Sequence, residues 1–228
     1  MPNDDLARFI DRYTVEYLRT FAHPVERVWK AIVDPAEIGQ WFVPPTKWDL
    51  REGGSFRFHD DNVSGAILAF EPLRLIRFQD DGPGAPGRSA ADMSGCWFQF
   101  ELDAVEGGTR MRFTHHVTPG VARPQQPPHA WDTPWWPGML GGWHASFDAM
   151  GDVIDGVPIG SRRPPTAASA IAEAWASHGS SVTLTPEQRA VIVRELRNRE
   201  HEMDVSARYR AHVDATLPPG APPPPGAA

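Results

Sequence analysis

The sequence predicts an α+β domain over residues 13–156, a curved antiparallel sheet wrapped around one long helix, followed by a helical C-terminal extension. Three observations carry this reading. Runs of alternating apolar and polar residues recur from Lys47 to Val117, separated by turn-rich breaks. A helical apolar stripe closes the series over roughly 138–155. Nine Trp and eleven Phe in 228 residues supply large rings for a thick core or a ring-lined pocket. A sheet of that extent curls to bury its apolar face, and one long helix fills the hollow.

Residues 13–21 (YTVEYLRTF) read as a first strand, with Tyr13, Val15 and Tyr17 on one face. Residues 1–12 precede it as a lead-in. His23-Pro24 opens a helix with the stripe Val25, Val28, Trp29 and Ile32. Asp34 caps a second short helix that runs to about Trp41-Phe42. Lys47–Leu50 is a short strand and Gly53-Gly54 a turn. In SFRFHD, Phe56 and Phe58 share a face, and Asp60–Asn62 turns the chain. In GAILAF, Ala66, Leu68 and Phe70 are expected on one face; Glu71-Pro72 ends the run and LRLIRFQ follows. Residues 80–92 are a loop by composition. CWFQFEL places Cys96, Phe98, Phe100 and Leu102 on one side. After a turn at Glu106-Gly107-Gly108, TRMRFTHHV places Met111, Phe113, His115 and Val117 inward.

A loop over Thr118–Pro137 then carries six prolines and three tryptophans, Trp131, Trp135 and Trp136. Ordered loops of this length often act as lids. Met139, Trp143, Phe147, Met150 and Ile154 form the stripe of the long helix, which Gly156 ends. Residues 157–168 read as a linker, 169–177 as a short helix, and Thr185 as the cap of a helix to about 213, with a thin stripe of Ile192, Leu196 and Met203. The Pro-rich tail 214–228 is expected to be disordered. Residues 169–213 pack on the domain, or form a homodimer arm, or engage a protein partner.

The net charge of −7 argues against nucleic acid or an anionic membrane as a partner. Cys96 is the sole cysteine, which fits a reducing cytoplasm, and no apolar run approaches the ~18 residues of a membrane span. Twenty arginines against two lysines point to a high-GC, bacterial genome.

HPVERVWKAIVDPAEIGQWF, DLREGGSFRF, SGAILAFEPLRLIRF, GGTRMRFTHH and GWHASFDAMGDVIDG, taken in order, resemble the SRPBCC (START-like, Bet v 1-like) superfamily, in the branch named after the activator of heat-shock-protein-90 ATPase. The resemblance covers residues 13–156 and implies the helix-grip fold. It also implies several activities: lipid carriers, aromatase/cyclases, antibiotic self-resistance proteins and co-chaperones. The co-chaperone's client-gripping N-terminal domain has no counterpart before residue 13, so chaperone work is not implied.

In such a fold Trp41, Phe42, Trp48, Phe56, Phe58, Phe70, Phe100, Phe113, Trp143 and Phe147 either line a cavity or fill a core. Trp131, Trp135 and Trp136 either cover its mouth or pin their own loop. His115 points inward and either orients a ligand, serves as a general base, or is a buried neutral ring. His144, beside Trp143, can meet it across the interior. His115 and His144 are thus the two catalytic candidates. With His116 and His129 they raise a zinc site, but no H-x-x-x-H or C-x-x-C spacing supports one, so no metal and no cofactor is expected. Cys96 reads as a small buried hydrophobe. The favoured function is binding or sequestration of a small hydrophobic, ring-containing molecule, in stress response or self-resistance. The alternatives are a polyketide-type cyclase, dehydratase or hydrolase using a cavity histidine, and an interaction or co-chaperone-like protein acting through the C-terminal helices.

Overall fold

The structure, a computed structural model, describes residues 6–58, 64–79, 95–117, 136–161 and 186–218; for residues 136–138 and 186–200 it describes the backbone alone. Eight strands form one antiparallel sheet: β1 (Arg8–Asp11), β2 (Thr14–Phe21), β3 (Pro45–Trp48), β4 (Ser55–Phe58), β5 (Ser64–Glu71), β6 (Leu75–Gln79), β7 (Trp97–Val105) and β8 (Gly108–His116). Their order is β1-β2-β8-β7-β6-β5-β4-β3. The meander from β3 to β8 therefore ends against β2. Helices α1 (Val25–Val33) and α2 (Pro35–Trp41) fill the gap between β2 and β3, and α3 (Trp136–Ile154) is the gripped helix. A fourth helix, α4 (Pro186–Thr216), follows it.

Local chemistry sets the joints. Asp34 accepts the Ala36 N–H at 2.9 Å and caps α2. The Trp41 and Trp48 indoles donate to the Ala31 and Val33 carbonyls, each at 2.8 Å, tying α2 and β3 to α1. Arg27 donates to the Ile154 and Val153 carbonyls and pairs with Glu37, so one cation satisfies the open carbonyl end of α3 from α1. At the β7–β8 turn Gly107 takes φ of 79°, and a Cβ on Gly108 would lie 2.0 Å from the Phe21 carbonyl oxygen. Only glycine fits that pair of positions.

Three expectations are corrected. The lead-in contributes β1, because the bend at Arg12-Tyr13 lets Arg8 and Phe9 pair with Glu16 and Val15. In β5 the inward residue is Ile67, while Leu68 is 42% exposed. A register shift between Ile67 and Ala69 reverses the parity, which returns Phe70 to the inner side against Trp29. In the part of α4 whose side chains are described, Val205, Tyr209 and Val213 are buried and Met203 is 74% exposed; the side chains of Ile192 and Leu196 lie outside the described residues.

Helix α4 is also no free arm in this chain. A Cβ on Gly141 of α3 would lie 2.9 Å from the Ser206 Cα, so the two helices cross at near backbone contact. Tyr209 accepts the Ala7 N–H at 2.9 Å, His212 bonds the Ala7 carbonyl at 2.7 Å, and Arg12 donates to the Pro218 carbonyl at 2.7 Å. The helix thus straps α3 to the edge strand of the sheet and runs past the predicted end at 213, to Thr216. The short helix at 169–177, Thr185, Asp60–Asn62, most of the 157–168 linker and the tail beyond 218 lie outside the described residues. No helix among the described residues is long and apolar enough to cross a membrane.

Candidate functional site

Alternation along the central strands builds the inner face. Phe98, Phe100 and Leu102 of β7 lie beside Met111, Phe113 and His115 of β8, and Val15, Tyr17, Arg19 and Phe21 of β2 continue the row. Helix α3 runs along β2 and lays Leu140, Trp143, Phe147, Met150 and Ile154 on that row, all buried. The rings meet around Trp143. Its indole lies 4.4 Å from Phe113 and 5.5 Å from Phe98, centroid to centroid. It is nearly parallel to Phe42 (5.2 Å, 11°) and to Phe147 (5.6 Å, 20°). Trp41 joins through Phe100 and Phe147, both at 6.5 Å. Trp48, Phe56 and Phe58 continue the set through Phe78, which stacks on Phe98 at 4.9 Å.

His115 is buried within this surface. The Trp143 Nε1–H donates to His115 Nδ1 at 2.9 Å. An indole nitrogen is a donor only, so Nδ1 must accept and the imidazole proton sits on Nε2. Burial, with His116 adding to it, pushes the His115 pKa from 6.5 down to about 3. The ring is neutral at physiological pH, and its one basic lone pair is already used.

His144 faces a different set of groups. Arg19 Nη2 and the Tyr209 hydroxyl both lie 3.1 Å from its Nδ1. Guanidinium donates only, so this Nδ1 also accepts. Burial, then the Arg19 charge, lowers the His144 pKa to about 4. Asp148, 3.7 Å from His144 Nε2, is bonded to His201 of α4 at 2.7 Å. Burial works to raise the Asp148 pKa, but His201, His144 and Arg19 outweigh it and hold the carboxyl below its usual range. Tyr17 donates to the Leu140 carbonyl at 2.8 Å, and burial raises its pKa well above 10. The result is a polar seam between β2, α3 and α4, with Arg19, His144 and Tyr209 buried and Asp148 and His201 half-buried.

Both histidines are protonated near pH 6.5 in an unfolded chain and neutral in the folded one, so unfolding takes up protons below that pH. Stability therefore falls as pH drops from about 6.5 towards 4, by up to about 1.4 kcal/mol per pH unit for each ring. Urea midpoints at pH 7, 6 and 5 test this. His115→Gln is expected to flatten the profile, and an unchanged slope in that variant would remove His115 as the source.

A sequence model of the family described as "Activator of Hsp90 ATPase homolog 1-like protein" matches residues 22–155, more than half of the chain. The chain belongs to this family. No curated protein matches it. The crystal structure of CalU16 from Micromonospora echinospora is 22% identical, with 85% of this chain and 86% of that one covered and a TM-score of 0.50. Its solution structure is 21% identical, covers 87% of both chains and also scores 0.50. Protein MLL2253 from Mesorhizobium loti is 22% identical over 64% of this chain and 98% of its own, with a TM-score of 0.49. The helix-grip fold of an SRPBCC, Bet v 1-like protein is thus shared with CalU16.

Within the family domain Trp41, Phe42, Phe100, Phe113, His115, Trp143 and Phe147 come together, and Trp48, Phe56 and Phe58 adjoin them. Phe70 packs on Trp29 instead. His144 belongs to the polar seam, so the pairing of His144 with His115 is replaced by His144 with Arg19. Trp131, Trp135 and His129 lie outside the described residues, and Trp136 is the first residue of α3. Among the described residues no group of three His, Cys, Asp or Glu side chains is placed to hold a metal. His116 turns outward to Thr14, at 2.9 Å, under the Trp97 ring. Cys96 is fully buried. Phe78 and Phe98 are absent from the ring set expected above, although Phe98 shares the inward parity of Phe100. Arg19, on the parity of Val15 and Tyr17, carried the same signal.

Proposed function

We propose that this protein binds or sequesters a small, uncharged, ring-containing hydrophobic molecule between the sheet and α3. The observation that carries this reading is the Trp143–His115 pair. It sets one neutral polar unit within a continuous surface of aromatic rings, where a flat apolar ligand gains stacking and burial. Site residues on this reading are Trp41, Phe42, Phe58, Phe98, Phe100, Phe113, His115, Trp143 and Phe147.

The geometry favours binding over acid/base chemistry. Each candidate histidine spends its Nδ1 lone pair on an internal donor, so neither is poised to take a proton from a substrate. Native mass spectrometry after incubation with a library of uncharged fused-ring compounds is expected to show uptake of one molecule per chain. A folded protein that takes up none of them would overturn the proposal.

A further inference from the structure

Around Trp143 the rings differ in how they are held. Phe98 and Phe113 sit within β7 and β8, paired on both sides, and Phe147 lies in the middle of α3; all three are buried. Moving any of them disturbs a ladder or the gripped helix. Phe42 is built differently. It is the residue after the last of α2, its N–H still bonded to the Ile38 carbonyl at 2.9 Å, and Val43-Pro44 leads the chain away into β3. Its side chain is partly exposed while lying almost parallel to the Trp143 indole, with its ring also 4.9 Å from Phe58. It is thus a stacked ring that touches solvent and hangs from a helix end.

We infer that Phe42 is a displaceable plug: a flat ligand reaches the Trp143 face by taking the place of the Phe42 ring. This deepens the binding reading above and rests on it. The chemistry sets the class of occupant. The group that replaces Phe42 is an uncharged planar ring at least the size of a benzene, because it must restore the stack on Trp143 and the edge contact with Phe58. Aliphatic chains, which restore area but no stack, are discriminated against at this position. Phe42 is therefore a specificity-determining residue and not a fixed wall.

The two roles predict opposite signs. A wall residue trimmed to alanine loses ligand contacts and weakens binding. A plug trimmed to alanine no longer competes and strengthens it. Nile red, an uncharged fused-ring dye, is the probe, read by fluorescence titration and stopped-flow mixing with the full chain. For the native protein the association rate is expected to level off with dye concentration, because ring displacement comes first. Phe42→Ala is expected to bind about three- to tenfold tighter, the weight of one aromatic stack, and to lose the plateau. Phe42→Trp is expected to bind more weakly than native. Phe42→Leu, which keeps apolar bulk without a flat face, gives the same direction as alanine if alanine proves unstable. Equal or weaker binding by Phe42→Ala and Phe42→Leu, with native uptake intact, overturns the plug alone. No uptake by any of the four proteins overturns the binding reading and the plug with it.

Discussion

A valine at position 141 is expected to lift α4 from α3 and to cost about 3 kcal/mol of folding stability. Even a single Cβ there would lie 1.9 Å from the Ser206 hydroxyl oxygen and 2.9 Å from the Ser206 Cα. The hydroxyl can rotate away, but the backbone carbon moves only with the helix. Separation would expose Val205, Tyr209 and Val213, and would open the seam at Arg19, whose guanidinium sits in a side chain only 1% exposed. Tyr209 would also release the Ala7 N–H and the His144 ring. A melting temperature lower by about 6–12 °C is expected for a chain of this size. Limited proteolysis should gain cuts within 186–218. Gly141→Ala is expected to lose less than Gly141→Val, because it adds the Cβ alone. A valine variant with native stability and native protease resistance would show that the helix crossing is not as tight as described.

Trp143→Ala is expected to destabilise the chain by about 3–5 kcal/mol and to abolish ligand uptake. The ring is in contact with Phe42, Phe98, Phe113 and Phe147, so its removal leaves a void at the centre of the aromatic surface. It also removes the donor to His115 Nδ1, leaving a buried acceptor without that bond, a loss of about 1–3 kcal/mol that overlaps with the first. Trp143→Phe separates the two: most of the ring stays and only the N–H goes. Urea denaturation measures the cost, and the His115 ring resonances followed against pH measure the environment. With the void hydrated, the burial that holds His115 near 3 weakens, and its pKa should climb towards 6.5 in the alanine variant. An alanine variant that keeps native stability would mean that Trp143 does not anchor the core.

Much of the domain was legible because it is local. Alternation in CWFQFEL and TRMRFTHHV places the inward side chains of β7 and β8 correctly, His115 included, since successive residues of a strand face opposite ways whatever the strand pairs with. The helical spacing of Trp143, Phe147, Met150 and Ile154 likewise marks the gripping face of α3, and Asp34-Pro35 marks the start of α2. The reversal in β5 was not legible, because a bulge arises from how two strands fit and not from the composition of one.

The sequence by itself determined the order of elements from β2 to α3, the curved antiparallel sheet over one long helix, the abundance of inward rings and the family. These follow from periodicity, turn chemistry and motif order, each a property of one stretch of chain. Tertiary structure alone decided what meets what. It set Trp143 against His115 and so placed the imidazole proton. It turned His144 towards Arg19 instead of His115. It brought α4 back across 65 residues of chain to put Tyr209 on His144, so the described helix packs on the domain. Donor and acceptor roles, pKa shifts and close helix crossings depend on partners distant in sequence, and only the folded chain specifies those partners.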